Sequence, residues 1–270
     1  MKKLGKLLLA SAFVVALAGC GGNNSAEEDK TIKVGATAVP HAEILNDVVK
    51  DILAEDGWEL TVTEFTDYIQ PNTALEDGDL DANYFQTLAY MEEQNKKGGL
   101  HLSEVQGVHY EAMALYSKDY TALSDIKDGD EILIPNDGSN EDRALNLLAK
   151  SGIIEYTSNV SDPESGITGY NVNVKLTPLA AEEIANHLDD AKVLIVNGNY
   201  ALESGLTEKS NVLVGENFTD EEAAPYINYL VVKEGNEESE KTQALIKAIT
   251  DQRVKDYISE KYGAAVVATF

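Results

Sequence analysis

T-I-K-V-G-A-T-A-V-P-H-A-E-I-L-N-D-V-V-K-D-I-L-A-E-D-G-W-E-L-T-V-T-E-F, residues 31–65, decides the fold class. It opens with Ile32, Val34 and Ala36 alternating with polar neighbours, the period of a strand, and Pro40 ends the run. Ile44, Leu45, Val48, Val49, Ile52 and Leu53 then recur as pairs every four residues, an amphipathic helix that stops at Gly57. Glu59–Phe65 alternates again. Strand, helix and strand in this order form a β-α-β unit with a parallel pair.

Towards the carboxy terminus the alternation of element types continues, with a short helix over Thr73–Asp77, a strand over Leu80–Phe85 and a helix over Leu88–Lys97. A second unit starts after the charged, Gly-containing stretch Ser124–Asp130. There E-I-L-I-P (131–135) reads as a strand, Asn136–Ser139 as a turn and cap, and Ala144, Leu145, Leu147 and Leu148 as the core face of a helix. Pro178 is expected to open a further helix, Lys192–Asn197 to form a buried strand, Tyr226–Val232 another strand, and about 238–260 a final helix. No repeat of fixed period is visible. The pattern predicts two α/β lobes, residues 31–117 with 226–270 as the first and 118–225 as the second, with a ligand cleft between them.

Towards the amino terminus, Lys2, Lys3 and Lys6 precede an apolar run from Leu7 to Leu17 that is too short to span a bilayer. The run ends in Leu17-Ala18-Gly19-Cys20, which resembles the bacterial lipobox. Residues 1–19 are therefore expected to be an export signal, and Cys20 a lipidated first residue that anchors the chain on the extracytoplasmic face of a membrane. Gly21–Lys30 holds no apolar residue larger than alanine and reads as a flexible tether. Cys20 is the single cysteine, so no intrachain disulfide and no multi-cysteine metal cluster can form. Beyond residue 19 the chain carries 18 basic against 47 acidic side chains. Such a surface repels nucleic acid.

Catalytic patterns are missing. His41, His101, His109 and His187 are scattered without metal-ligand spacing, and no nucleophile elbow, P-loop or dinucleotide fingerprint occurs. D-G-D-L-D-A-N (77–83) departs from the calcium-loop pattern and reads as a solvated turn. No cofactor, metal or catalytic residue is expected.

Binding features are denser. Phe65, Tyr68, Tyr84, Phe85 and Tyr90 crowd near strand ends, where rings wall clefts, and about half of them are expected to face a ligand. Arg143 stands in the first turns of a helix beside Asn136, Ser139 and Asn140. A guanidinium near helix N–H groups suits a carboxylate, although Glu141 and Asp142 flank it and could pair with it instead. Asn197-Gly198-Asn199-Tyr200 follows the buried strand directly, as a polar ligand site or an ordinary turn.

Four segments in order, F-T-D-Y-I-Q-P-N-T-A-L (65–75), G-D-L-D-A-N-Y-F-Q (78–86), I-P-N-D-G-S-N-E-D-R-A-L-N-L-L (134–148) and P-Y-I-N-Y-L-V-V (225–232), resemble the methionine-binding lipoproteins of the NlpA type. The resemblance implies a two-lobed periplasmic-binding-protein fold of type II character. It also implies capture of L-methionine or a related amino acid or short peptide for the permease and ATPase subunits of an ABC importer. By position, Tyr68, Phe85 and Tyr90 would line the thioether pocket, Arg143 would hold the carboxylate with Asn140 assisting, and Asn197 and Asn228 would serve the polar end. This chain reads F-Q-T-L-A-Y (85–90) where the family commonly reads F-Q-H-x-P-Y, so Thr87 replaces a pocket histidine and Ala89 a proline. A lipid-anchored adhesin with a vestigial cleft is the alternative reading.

Overall fold

Strands β1 (Thr31–Thr37) and β2 (Glu59–Phe65) lie parallel, with Val34 opposite Val62. Between them the chain turns at Val39, which is extended (φ −120, ψ 132), then winds helically to the end of α1 (Lys50–Glu55), and Gly57 turns it with φ +80. That φ is open to glycine at little cost. The computed structural model describes residues 30–217 and 223–270. The expected signal, Cys20 and all of the expected tether except Lys30 lie outside the described residues.

The chain continues through α2 (Gln70–Glu76), β3 (Ala82–Thr87), α3 (Leu88–Gly98) and β4 (Leu102–Glu111). It then leaves the first sheet for β5 (Ala114–Ser117), β6 (Glu131–Pro135), α4 (Gly138–Lys150), the ribbon β7 (Ile154–Tyr156) and β8 (Ile167–Tyr170), and β9 (Lys175–Leu179). The short α5 (Ala181–Ile184), β10 (Val193–Val196), α6 (Gly198–Ser204), α7 (Leu206–Lys209) and β11 (Asn211–Gly215) complete the second lobe. Return to the first lobe is through β12 (Ile227–Lys233), then α8 (Glu240–Ile249), α9 (Gln252–Tyr262) and β13 (Val266–Ala268).

Among the described residues these strands make two main sheets, ordered β13-β4-β12-β3-β1-β2 and β11-β5-β10-β6-β9. Each combines three parallel strands with antiparallel ones. Each lobe has its own apolar core, the first around Ile32, Val34, Ile44 and Leu245, the second around Ile132, Ile134, Leu145 and Ile195. A third cluster joins the lobes, with Tyr68, Phe85 and Tyr90 of the first packed with Leu133, Leu194, Val196 and Tyr200 of the second.

Three expectations are corrected. The first crossing falls at Ala112–Met113 and not at 117/118, because Ala114–Ser117 is wholly buried and pairs with β10 and β11. One strand runs into the next there, so no loop composition marks the change. Pro178 lies within β9 instead of opening a helix; β9 is an edge strand, where a missing N–H is tolerated. The carboxy-terminal helix is two helices, because Asp251 takes an extended conformation (φ −64, ψ 145) and caps α9 by accepting from the Arg253 N–H. Asp251→Ala is expected to lower stability by about 1 kcal/mol in urea unfolding, the usual cost of losing a cap.

Candidate ligand-binding site

Where the lobes meet, residues from β3, α3, β4, α4, α6 and β12 line a narrow cavity of about 20 Å³ that opens to solvent. The eight positions that the family resemblance marks, Tyr68, Phe85, Thr87, Tyr90, Asn140, Arg143, Asn197 and Asn228, line it. Gln86, Glu111, Gly198 and Asn199 line it with them.

One wall is aromatic. Alternation along β3 sends Tyr84 into the first core and Phe85 towards the cavity. Tyr68 sits 5.7 Å from Phe85 and 5.6 Å from Tyr90, centroid to centroid, and stacks on Tyr200 at 4.9 Å. Phe65, the fifth ring of the sequence cluster, packs beside the Leu75 and Leu80 cluster. The hydroxyls tie the wall across the seam, Tyr68 donating to Asn199 Oδ1 (2.6 Å) and Tyr200 to the Thr66 carbonyl (3.1 Å). Thr87 is the cap of α3, its Oγ1 accepting from the Tyr90 N–H. Behind the wall Asn72, Asn83 and Gln86 satisfy one another's amides and fix α2 on β3.

The opposite side is polar. Helix α4 begins at its Asp137 cap, which also accepts from the Asn140 side chain. Asn140 Oδ1 in turn accepts from Asn197 Nδ2 at 2.7 Å, so Asn140 orients Asn197. Arg143 is buried, and neither Glu141 nor Asp142 pairs with it. Asp142 instead accepts from Tyr156, Ser158 and the Asn159 N–H. The guanidinium lies over the Tyr226 ring and forks onto Glu216, Nε to Oε1 at 2.8 Å and Nη2 to Oε2 at 2.5 Å, while Nη2 also reaches the Glu111 carbonyl. Glu216 further accepts from the Met113 N–H, and its own N–H donates to the Met113 carbonyl, so it joins the two crossing segments. Two buried amide atoms of residues lining this cavity have no partner, Asn197 Oδ1 and Asn199 Nδ2. One is an acceptor and the other a donor, the complement of an ammonium and a carboxylate.

Beneath the polar side lies a network that spacing rules did not reveal. His41, His109 and Glu111 come together, with ligand-type atoms within 4.8 Å of one another. Both nitrogens of each ring are already bonded. His41 meets Thr37 and Asn228, and His109 meets Tyr84 and Glu111 Oε1, the last at 2.5 Å. This is a hydrogen-bonded relay and not an open metal site. The signal in sequence was His109-x-Glu111, two polar groups on one face of a strand. Burial lowers His41 to about 4 and His109 to about 3, and raises Glu111 to about 7 against the pull of His41 and Arg143.

The lobes are clasped at the rim. Glu93 of α3 accepts from the Gly138 and Ser139 N–H groups of α4 (3.0 and 2.7 Å), where a carboxylate meets the positive end of a helix. Gly138 is required there, because a Cβ would run into the Val160 carbonyl and Glu93 Oε1.

A profile of the NlpA lipoprotein family matches residues 32–270. The chain belongs to that family. The methionine-binding lipoprotein MetQ of Bacillus subtilis is 36% identical over 99% of this chain and 98% of its own length. A nutrient-binding protein from Burkholderia cenocepacia, solved bound to methionine, superposes with TM-score 0.82 at 32% identity over 88% of this chain and 100% of that one. A Coxiella burnetii protein described as an ABC transporter periplasmic substrate-binding protein gives TM-score 0.81 at 30% identity, over 88% and 100%. The fold is thus the two-lobed one of substrate-binding lipoproteins. Among the described residues no helix is long and apolar enough to cross a membrane.

Two outcomes follow from the site. Glu216→Gln, which leaves a buried guanidinium unmatched, is expected to cost about 3–5 kcal/mol in chemical unfolding. The pH dependence also has a definite sign. The depressed histidines contribute stability that is present above about 6.5 and lost as pH falls through their folded values, whereas Glu111 contributes stability present below 4.5 and lost as pH rises through about 7. Two histidines oppose one carboxyl, so the cluster's contribution rises from pH 4.5 to 6.5 and then declines until Glu111 is ionised. Glu111→Gln is expected to steepen the rise and abolish the decline in thermal melts across this range.

Proposed function

We propose that this chain is the capture subunit of an amino-acid importer, held by a lipid on Cys20 at the extracytoplasmic face of the membrane. Its ligand is methionine or an amino acid of similar apolar side chain. The observation that carries this reading is the pairing, in one interlobe cavity, of an aromatic wall with Arg143 and two residues bearing unpartnered amide atoms. An apolar side chain fits the rings of Tyr68, Phe85 and Tyr90, and a zwitterion fits the other side, with the carboxylate towards Arg143 and Asn199 Nδ2.

The mechanism is lobe closure. Ligand binding supplies contacts to both halves, so it favours the clasped state over the open one. The partners are a permease and an ATPase, whose cycle drives release; the chain itself captures its ligand and leaves it chemically unchanged. Kinship with proteins named for methionine binding and for ABC transport favours capture over the adhesin alternative. Thr87 and Ala89, in place of the family histidine and proline, bear on which side chain is preferred.

Titration calorimetry of the full-length protein in detergent against the common L-amino acids tests this. L-Methionine is expected to bind at micromolar or tighter Kd. Arg143→Ala is expected to weaken it by about 100-fold or more, the scale of a lost charge-assisted pair. An absence of amino-acid binding, or unchanged affinity in Arg143→Ala, contradicts the reading.

A further inference from the structure

Glu111 is a buried carboxyl in the wall of the cavity, and its backbone carbonyl accepts from Arg143 Nη2 at 2.9 Å, so one residue carries the cavity's acid and touches its cation. Its two oxygens have different surroundings. Oε1 is held by His109 at 2.5 Å, and behind it Tyr84 bonds the other ring nitrogen. Tyr84 keeps its proton in this buried setting and donates to Nδ1, which leaves Nε2–H to donate to Oε1. Oε2 receives no such bond and stands over Gly198, 2.9 Å from the place a Cβ would occupy there. Any side chain at Gly198 would collide with Glu111, whose Cβ is 2.6 Å from that place. The glycine thus leaves the carboxyl room in the cavity that Asn197 also lines, and Asn197 Oδ1 is an acceptor without a partner. An available carboxyl oxygen and a vacant amide acceptor in one cavity, next to the carboxylate-binding cation, form a receptor for a hydrogen-bond donor of positive charge.

We propose that the Glu111 carboxylate is the counter-ion of the ligand's ammonium group, protonated before capture and releasing its proton to solvent as the amino acid binds. The inference rests on the amino-acid reading above. The exchange balances: a neutral carboxyl and an ammonium become a carboxylate paired with that ammonium, plus one proton in bulk water. A neutral carboxyl is the cheaper state in a buried cavity, and an incoming cation reverses that preference.

The groups facing Glu111 do not titrate in the same range. His41, from the turn after β1, and His109, on β4, stay neutral above about pH 5; Arg143 on α4 stays charged; Tyr68, Tyr84 and Tyr116 keep their protons. Glu216 faces Arg143 and is bonded to it. Glu141 is also raised to about 7 but lies outside this cavity.

The test is calorimetry of the full-length protein with L-methionine and, as a panel, the other common L-amino acids. It is run at about pH 6 and pH 8.5 in buffers of different ionisation enthalpy, which count the protons released. The wild type is expected to release most of one proton at pH 6 and almost none at pH 8.5. The desamino analogue 4-(methylthio)butanoate is expected to release none at either pH, an arm that needs no variant. Glu111→Gln is expected to show no proton release and to bind L-methionine about 10- to 100-fold more weakly at pH 8.5. Amino-acid binding without proton release at pH 6, or with release unchanged in Glu111→Gln, overturns this inference and leaves the capture reading standing. Failure of the wild type to bind any amino acid overturns both.

Discussion

A guanidinium out of water must be matched, and the match found for Arg143 organises the molecule. Glu216 takes the fork from α4 and at the same time bonds both ways with Met113, so one carboxylate links the second lobe's helix to the two segments that cross between lobes. Both side chains are 4% exposed. In that setting the pair contributes geometry more than net stability, because desolvation offsets much of the attraction. What it provides is a fixed cation at the hinge, with its fork committed and its remaining donors at the edge of the cavity.

The two sides of the cavity divide the work of recognition. Ring packing rewards any apolar side chain of suitable size, and discriminates weakly among them. Hydrogen-bond groups in a closed cavity discriminate strongly, because each donor or acceptor left empty carries a desolvation cost. The vacant Asn197 Oδ1 and Asn199 Nδ2 are of that kind. Closure is stabilised by contacts on the rim that involve no ligand, such as Glu93 on the start of α4, so the ligand has to supply only part of the free energy that holds the lobes together.

Much of this was legible in the sequence where a periodic pattern was strong. Glu59–Phe65 and Glu131–Pro135 coincide with β2 and β6, because a partly exposed edge strand announces itself by alternation and a buried one by a short apolar run. The crossing at Ala112–Met113 was not legible, since two strands follow each other there without a loop. Pro178 misled because its tolerance depends on β9 being an edge, a fact about sheet order and not about local sequence. In the site, Arg143 and the aromatic wall stood out by residue type, and the structure gathers the eight positions that the family resemblance marks around one cavity. Glu111 did not stand out. Its surroundings include His41, which lies 70 positions away in the chain and reaches it only because the sheet brings the segment after β1 beside β12 and β4.

A crystal structure of the protein purified with its native ligand tests the central claim most directly. The account predicts an amino acid in the interlobe cavity, its carboxylate within hydrogen-bond distance of Arg143 and its side chain among Tyr68, Phe85 and Tyr90. A ligand bound in the reverse orientation, or an Arg143 turned out of the cavity into bulk water, would contradict it.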